Sequence, residues 1–131
     1  MATVTKFEEL EVWKKARGLS KNIHQLSQEG EFSKDFGLKN QINRATGSVM
    51  DNIAEGFERN GKQEFIQFLA IAKGSVGEVR SQLYRAFDRN YLDENNLQTL
   101  LTETESITKM IHKLIEYLNR TDFKGQKYIK P

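Results

Sequence analysis

Apolar residues of this 131-residue chain recur in alternating steps of four and three over separate stretches, the spacing that collects side chains on one face of an α-helix. The best patterned run is Phe65, Leu69, Ala72, Val76, Val79, Leu83 and Ala86. Earlier runs use Val12, Ala16, Leu19, Ile23 and Leu26, then Leu38, Ile42, Ala45, Val49 and Ile53. A last one follows Leu97, Leu100, Thr104, Ile107, Ile111, Leu114 and Leu118, broadened by Leu101 and Ile115. The single proline is the final residue, Pro131, so nothing interrupts these helices from within. Helices of about 20–27 residues joined by short connections predict an all-α, antiparallel up-down-up-down four-helix bundle. At a rise of about 1.5 Å per residue such a rod is about 30–40 Å long.

Local signals place the helix ends. Thr5 and Glu8 have capping-box spacing ahead of the first helix, and Phe7 is an anchor. Ser33 is the expected N-cap of the second helix, after a loop containing Gly30. Gly56 reads as its C-terminal stop, because glycine takes the left-handed conformation past a last turn without steric cost. That leaves Phe57 to Gly61 as a connection short enough to make the second and third helices antiparallel neighbours. Either Asn60 with Gln63 or Gly61 with Glu64 opens the third helix, and Asp93 caps the fourth. The expected organisation is one domain over residues 1–119 and a short basic tail over 120–131.

Little here points to catalysis. The chain has no cysteine, which excludes disulfides, thiolate metal sites and cysteine nucleophiles together. A di-iron bundle needs inward Glu-x-x-His pairs, whereas His24 and His112 have Lys21 and Lys109 three positions before them. His112 and Glu116 are four apart, the spacing of a surface contact. Glu55 and Glu58 read as solvated groups near a helix end. No glycine-rich phosphate loop or strained nucleophile turn appears. The expectation is a non-enzymatic protein without metal or cofactor. Met1 to Phe7 has no signal-like apolar run, and no 18-residue apolar segment could cross a membrane, so the chain reads as cytoplasmic.

Two helix faces do ask for partners. Opposite the third seam, Ala70, Gly74, Gly77 and Ser81 form a stripe of small residues flanked by Ile66 and Tyr84. Each mid-helix glycine costs about 1 kcal/mol relative to alanine, which close helix packing would offset. The stripe meets either another subunit or another helix of the same chain, or the glycines are simply tolerated. Opposite the first seam, Lys14, Arg17 and Lys21 form a basic stripe beside Trp13. The net charge is only +2, so composition alone does not announce a nucleic-acid binder. The stripe is either a solvated face or, repeated around an oligomer, a multivalent contact for RNA or DNA phosphates. Lys124, Lys127 and Lys130 of the tail extend the candidate phosphate contacts. The leading expectation is an oligomeric bundle that binds RNA or DNA or scaffolds a nucleoprotein complex, and a protein–protein adaptor without nucleic-acid binding is the alternative.

Several short motifs together carry a family resemblance between Phe7 and Leu118. They are Leu10-Glu11-Val12-Trp13-Lys14-Lys15-Ala16, Gly37-Leu38 with Gln41-Ile42 and Arg44-Ala45, Asn52-Ile53-Ala54-Glu55-Gly56-Phe57, Glu64-Phe65 with Phe68-Leu69, and Lys73-Gly74-Ser75. In these the chain resembles the four-helix bundle proteins encoded by intervening sequences in bacterial 23S ribosomal RNA genes, the S23 ribosomal protein family. The resemblance implies a homopentameric barrel of bundles. It also implies kinship with accessory variability proteins of diversity-generating retroelements, which bind nucleic acid and a reverse transcriptase.

Overall fold

The computed structural model describes residues 4–121; Lys124, Lys127 and Lys130 lie outside them. A 3-10 turn, Phe7–Glu9, leads into α1 (Glu11–Ser27), and a second, Gly30–Lys34, leads into α2 (Phe36–Glu58). Helices α3 (Lys62–Asp88) and α4 (Glu94–Arg120) complete the chain. Arg120, expected at the start of the tail, is the last residue of α4.

The four seams converge on one core. Every residue of the second and third seams is buried; in the fourth only Ile115, and in the first only Leu26, is partly exposed. Helix α1 packs on α2 and α4, and α3 on α2 and α4, while the diagonals barely touch. Side-chain pairs show the antiparallel register. Between α2 and α3 they run from Arg89 on Asp35 through Arg85 on Gln41 to Ser75 on Ser48. Between α3 and α4, Arg80 meets Thr104 and Lys62 donates to the Thr121 carbonyl at 2.8 Å. Buried hydroxyls are satisfied, as buried polar groups must be: Ser27 donates to the His24 carbonyl, Thr46 to that of Asn43 and Thr104 to that of Leu101.

Three helix ends differ from the sequence expectation. The amide of Thr5 is satisfied by Glu9 at 2.9 Å, not by Glu8, because the intervening 3-10 turn shifts the geometry by a residue. Ser33 lies inside the second 3-10 turn and donates to the Gly30 carbonyl; Asp35 caps α2 by accepting from the Leu38 amide at 3.2 Å. Gly56 does not stop α2, which runs on to Glu58, so Phe57 belongs to the helix and the connection is shorter than expected. The left-handed residue is Asn60, at φ 63°, a conformation asparagine tolerates better than most residues. Gly56 is instead a point of close approach: a Cβ there would lie 2.7 Å from the Phe68 Cβ and 3.0 Å from the Phe65 ring. Of the two openings for α3, Gly61 is the N-cap. Asp93 caps α4 as expected, accepting from the Asn96 amide at 2.7 Å.

Asp35 also ties the start of α2 to the end of α3. Its second carboxylate oxygen accepts from Tyr91 Oη and from the Arg89 guanidinium, both at 2.8 Å, while the Tyr91 ring stacks on buried Phe32. The Tyr91 hydroxyl, then the Leu38 amide and Arg89, hold the Asp35 carboxyl below its usual value of 3.8. The reciprocal bond raises the Tyr91 phenol above its usual 10.0. Because the Asp35 carboxyl is depressed in the folded chain, its contribution is fully present above the ordinary aspartate range and is lost as pH falls through the lower folded value. Asp35→Asn therefore lowers the melting temperature by several degrees at pH 7. The gap from wild type narrows as acid titrates the wild-type carboxyl, and melting curves between pH 7 and pH 2 check it. A constant gap across that range counts against a charge-dependent clasp.

Candidate nucleic-acid interface

Helix α1 displays its basic residues on the side turned away from the seam. Lys14, Arg17 and Lys21 are all exposed. Lys14 is engaged by Glu11 at 3.2 Å, and the Arg17 guanidinium sits 5.8 Å from the Trp13 ring centroid. Trp13 is half-buried, with Phe7 packed edge-on to it at 5.1 Å. It is an anchor for the 3-10 turn that leaves one side available to Arg17, a cation–π arrangement. Lys21 forms no ion pair among the described residues. The result is a convex cationic strip with two of its three charges uncompensated by carboxylates.

The small stripe of α3 lies on the opposite corner of the bundle. Ala70, Gly74, Gly77 and Ser81 are exposed, Tyr84 is 47% exposed, and Ile66 is partly buried against the core. A Cβ added at Gly74 or Gly77 would meet nothing within 4 Å. No helix of the same chain fills the stripe at these two glycines, which leaves a second subunit or simple tolerance. The two candidate faces are thus separate: α1 and α3 are diagonal in the bundle.

Sequence reading missed a third feature, since its residues come from helices far apart in the chain. A furrow of about 320 Å³ between α3 and α4 is lined by Lys73, Gly77, Arg80, Glu105, Thr108 and Lys109. It continues into a wider depression of about 650 Å³ over α4 that reaches His112, Lys113 and Glu116. Lys109 and Lys113 are visible as an i, i+4 pair, but nothing in the linear order brings Lys73 beside them.

The carboxylates considered for chemistry are in ordinary surroundings. Glu55 pairs with Arg59 at 2.9 Å, and His112 with Glu116 at 3.4 Å, all about half exposed. Among the described residues no group of three or more histidines and carboxylates could hold a metal ion. No helix there is long and apolar enough to cross a membrane.

The family model for the 23S rRNA-intervening sequence protein matches residues 8–113, most of the chain. The chain belongs to that family. For this member of the intervening-sequence proteins, the fold has an independent parallel in a crystal structure of a protein with unknown function from the S23 ribosomal protein family of Bacteroides thetaiotaomicron. The two superpose with a TM-score of 0.74 at 22% identity, over 80% of this chain and 95% of the other. At that identity the similarity concerns the four-helix architecture alone. None of the curated proteins compared matches the chain.

Proposed function

We propose that this intervening-sequence protein is a non-enzymatic, self-associating helical bundle of the cytoplasm that holds RNA or DNA by its phosphates along the outer face of α1. The observation that carries the reading is the strip Lys14, Arg17 and Lys21, exposed together on one helix face. The family's description, which ties it to 23S rRNA intervening sequences, supports a nucleic-acid setting. Self-association is supported by the open stripe at Gly74 and Gly77, which pays the helix-propensity cost of two glycines for no contact within the protomer. A neighbour seated on α3 would leave the diagonal α1 strip uncovered, so a ring would repeat the strip once per subunit. The pentamer, and a reverse transcriptase as further partner, rest on the family resemblance.

Binding of a labelled 20-nucleotide RNA and of a duplex DNA, followed by fluorescence anisotropy over a salt series, tests the reading. Wild type binds at low salt and weakens steeply as salt rises. The K14Q/R17Q/K21Q variant loses affinity for all sequences alike, and its log–log salt slope falls by roughly one unit for each phosphate contact removed. If neither nucleic acid binds wild type at low salt, the protein is an adaptor whose lysines serve solubility.

A further inference from the structure

The furrow between α3 and α4 is a second place on the surface where cations outnumber carboxylates. Of its two carboxylates, Glu105 is engaged by Arg80 at 3.7 Å, and Glu116 lies 3.4 Å from the His112 imidazole. Arg80 is further held in the wall by its bond to buried Thr104 at 3.1 Å. That leaves Lys73, Lys109 and Lys113, all exposed, with no ion pair among the described residues. On a chain with a net charge of +2, three ammonium groups facing one carboxylate not paired to Lys or Arg, Glu116, around one depression are a concentrated field. The surface is concave, and low-dielectric walls focus such a field more than a convex helix face does. On α1, by contrast, Lys14 is already engaged by Glu11.

The lining also restricts the kind of anion. Lys109 and Lys113 stand one turn apart, about 6 Å along α4, with Lys73 on the neighbouring helix. Lysine ammonium groups are compact point charges without the bidentate geometry that selects one carboxylate or one phosphate. No Phe, Tyr or Trp lines the depression to stack a base. Gly77 lies where the furrow meets the small stripe proposed as the subunit contact, so the track runs along the border of that contact. Spaced point charges along an open trough, without a stacking platform, suit a chain of phosphates read for charge and not for sequence.

Resting on the nucleic-acid reading above, we propose that the α3–α4 furrow is a second phosphate-binding track, in which Lys73, Lys109 and Lys113 hold a sugar–phosphate backbone. The test compares wild type, K73Q/K109Q/K113Q, E105Q/E116Q and K14Q/R17Q/K21Q, each with helicity verified by circular dichroism. All are titrated with a labelled 20-nucleotide RNA of random sequence over a salt series. The furrow lysine variant binds at least about tenfold more weakly at low salt, its salt slope reduced by roughly three, and E105Q/E116Q binds more tightly than wild type. A furrow lysine variant with wild-type affinity and slope, beside an α1 variant that has lost binding, overturns the second track and leaves the proposed function standing. If wild type binds neither this RNA nor the duplex DNA, both readings fall. Inorganic polyphosphate is titrated in parallel: if it alone binds with this lysine dependence while RNA does not, the assignment to a sugar–phosphate backbone is wrong.

Discussion

Phe57→Ala lowers the stability of the bundle by about 3–5 kcal/mol, the cost of deleting a buried aromatic ring and leaving a cavity behind. Phe57 is 1% exposed near the end of α2, and its ring stands edge-on to that of Phe65 at 5.9 Å and 82°. Such a pair adds about 0.5–1.5 kcal/mol beyond area burial. Domains of this size are stable by only about 5–15 kcal/mol, so the variant sits near its unfolding threshold. Urea denaturation checks this. The midpoint should fall sharply while the slope is unchanged, because the surface exposed on unfolding is nearly the same. A loss under 1 kcal/mol would mean that Phe57 is not a core residue.

Substitutions at glycines of adjacent helices should have opposite consequences. Gly56→Leu places a Cβ 2.7 Å from that of Phe68, and a Cβ cannot rotate away, so α2 and α3 must separate where they pack most extensively. Overpacking alone costs about 1–3 kcal/mol. The rest of the leucine then pries open the Phe57–Phe65 contact, for an expected total of about 3 kcal/mol or more. The Cβ that Gly74→Leu or Gly77→Leu adds meets nothing within 4 Å in the protomer, and each substitution gains up to about 1 kcal/mol of helix propensity. Their protomers melt at or above the wild-type temperature. Under the proposed self-association, the double variant loses its oligomeric mass in multi-angle light scattering. An oligomer of unchanged mass would remove the stripe as an interface without touching the fold.

Both predictions turn on residues whose roles were only half visible in the linear chain. Gly56 stands out as a glycine near a helix end, a position compatible with a left-handed stop or with close packing. The choice depends on Phe65 and Phe68, which belong to another helix. Asn60 was free to take the left-handed position, so α2 could extend and draw Phe57 into the core. Likewise the local pattern favours Ser33 as the cap of α2, but the cap is Asp35. Its other partners, Arg89 and Tyr91, are more than fifty residues away. The cap of α4 was legible because Asp93 acts on its own neighbour Asn96. The α1 strip was legible too, as Lys14, Arg17 and Lys21 share one face of one helix.

The four-three steps of apolar residues determined by themselves that the chain forms four helices and which side of each turns inward. Periodicity is a local property, fixed by backbone geometry within each helix. Only the tertiary structure decided what lies beside what. Axial register between helices comes from packing at points such as Gly56 against Phe68. That register brings Lys73 of α3 level with Lys109 and Lys113 of α4, and leaves Gly74 and Gly77 facing open space.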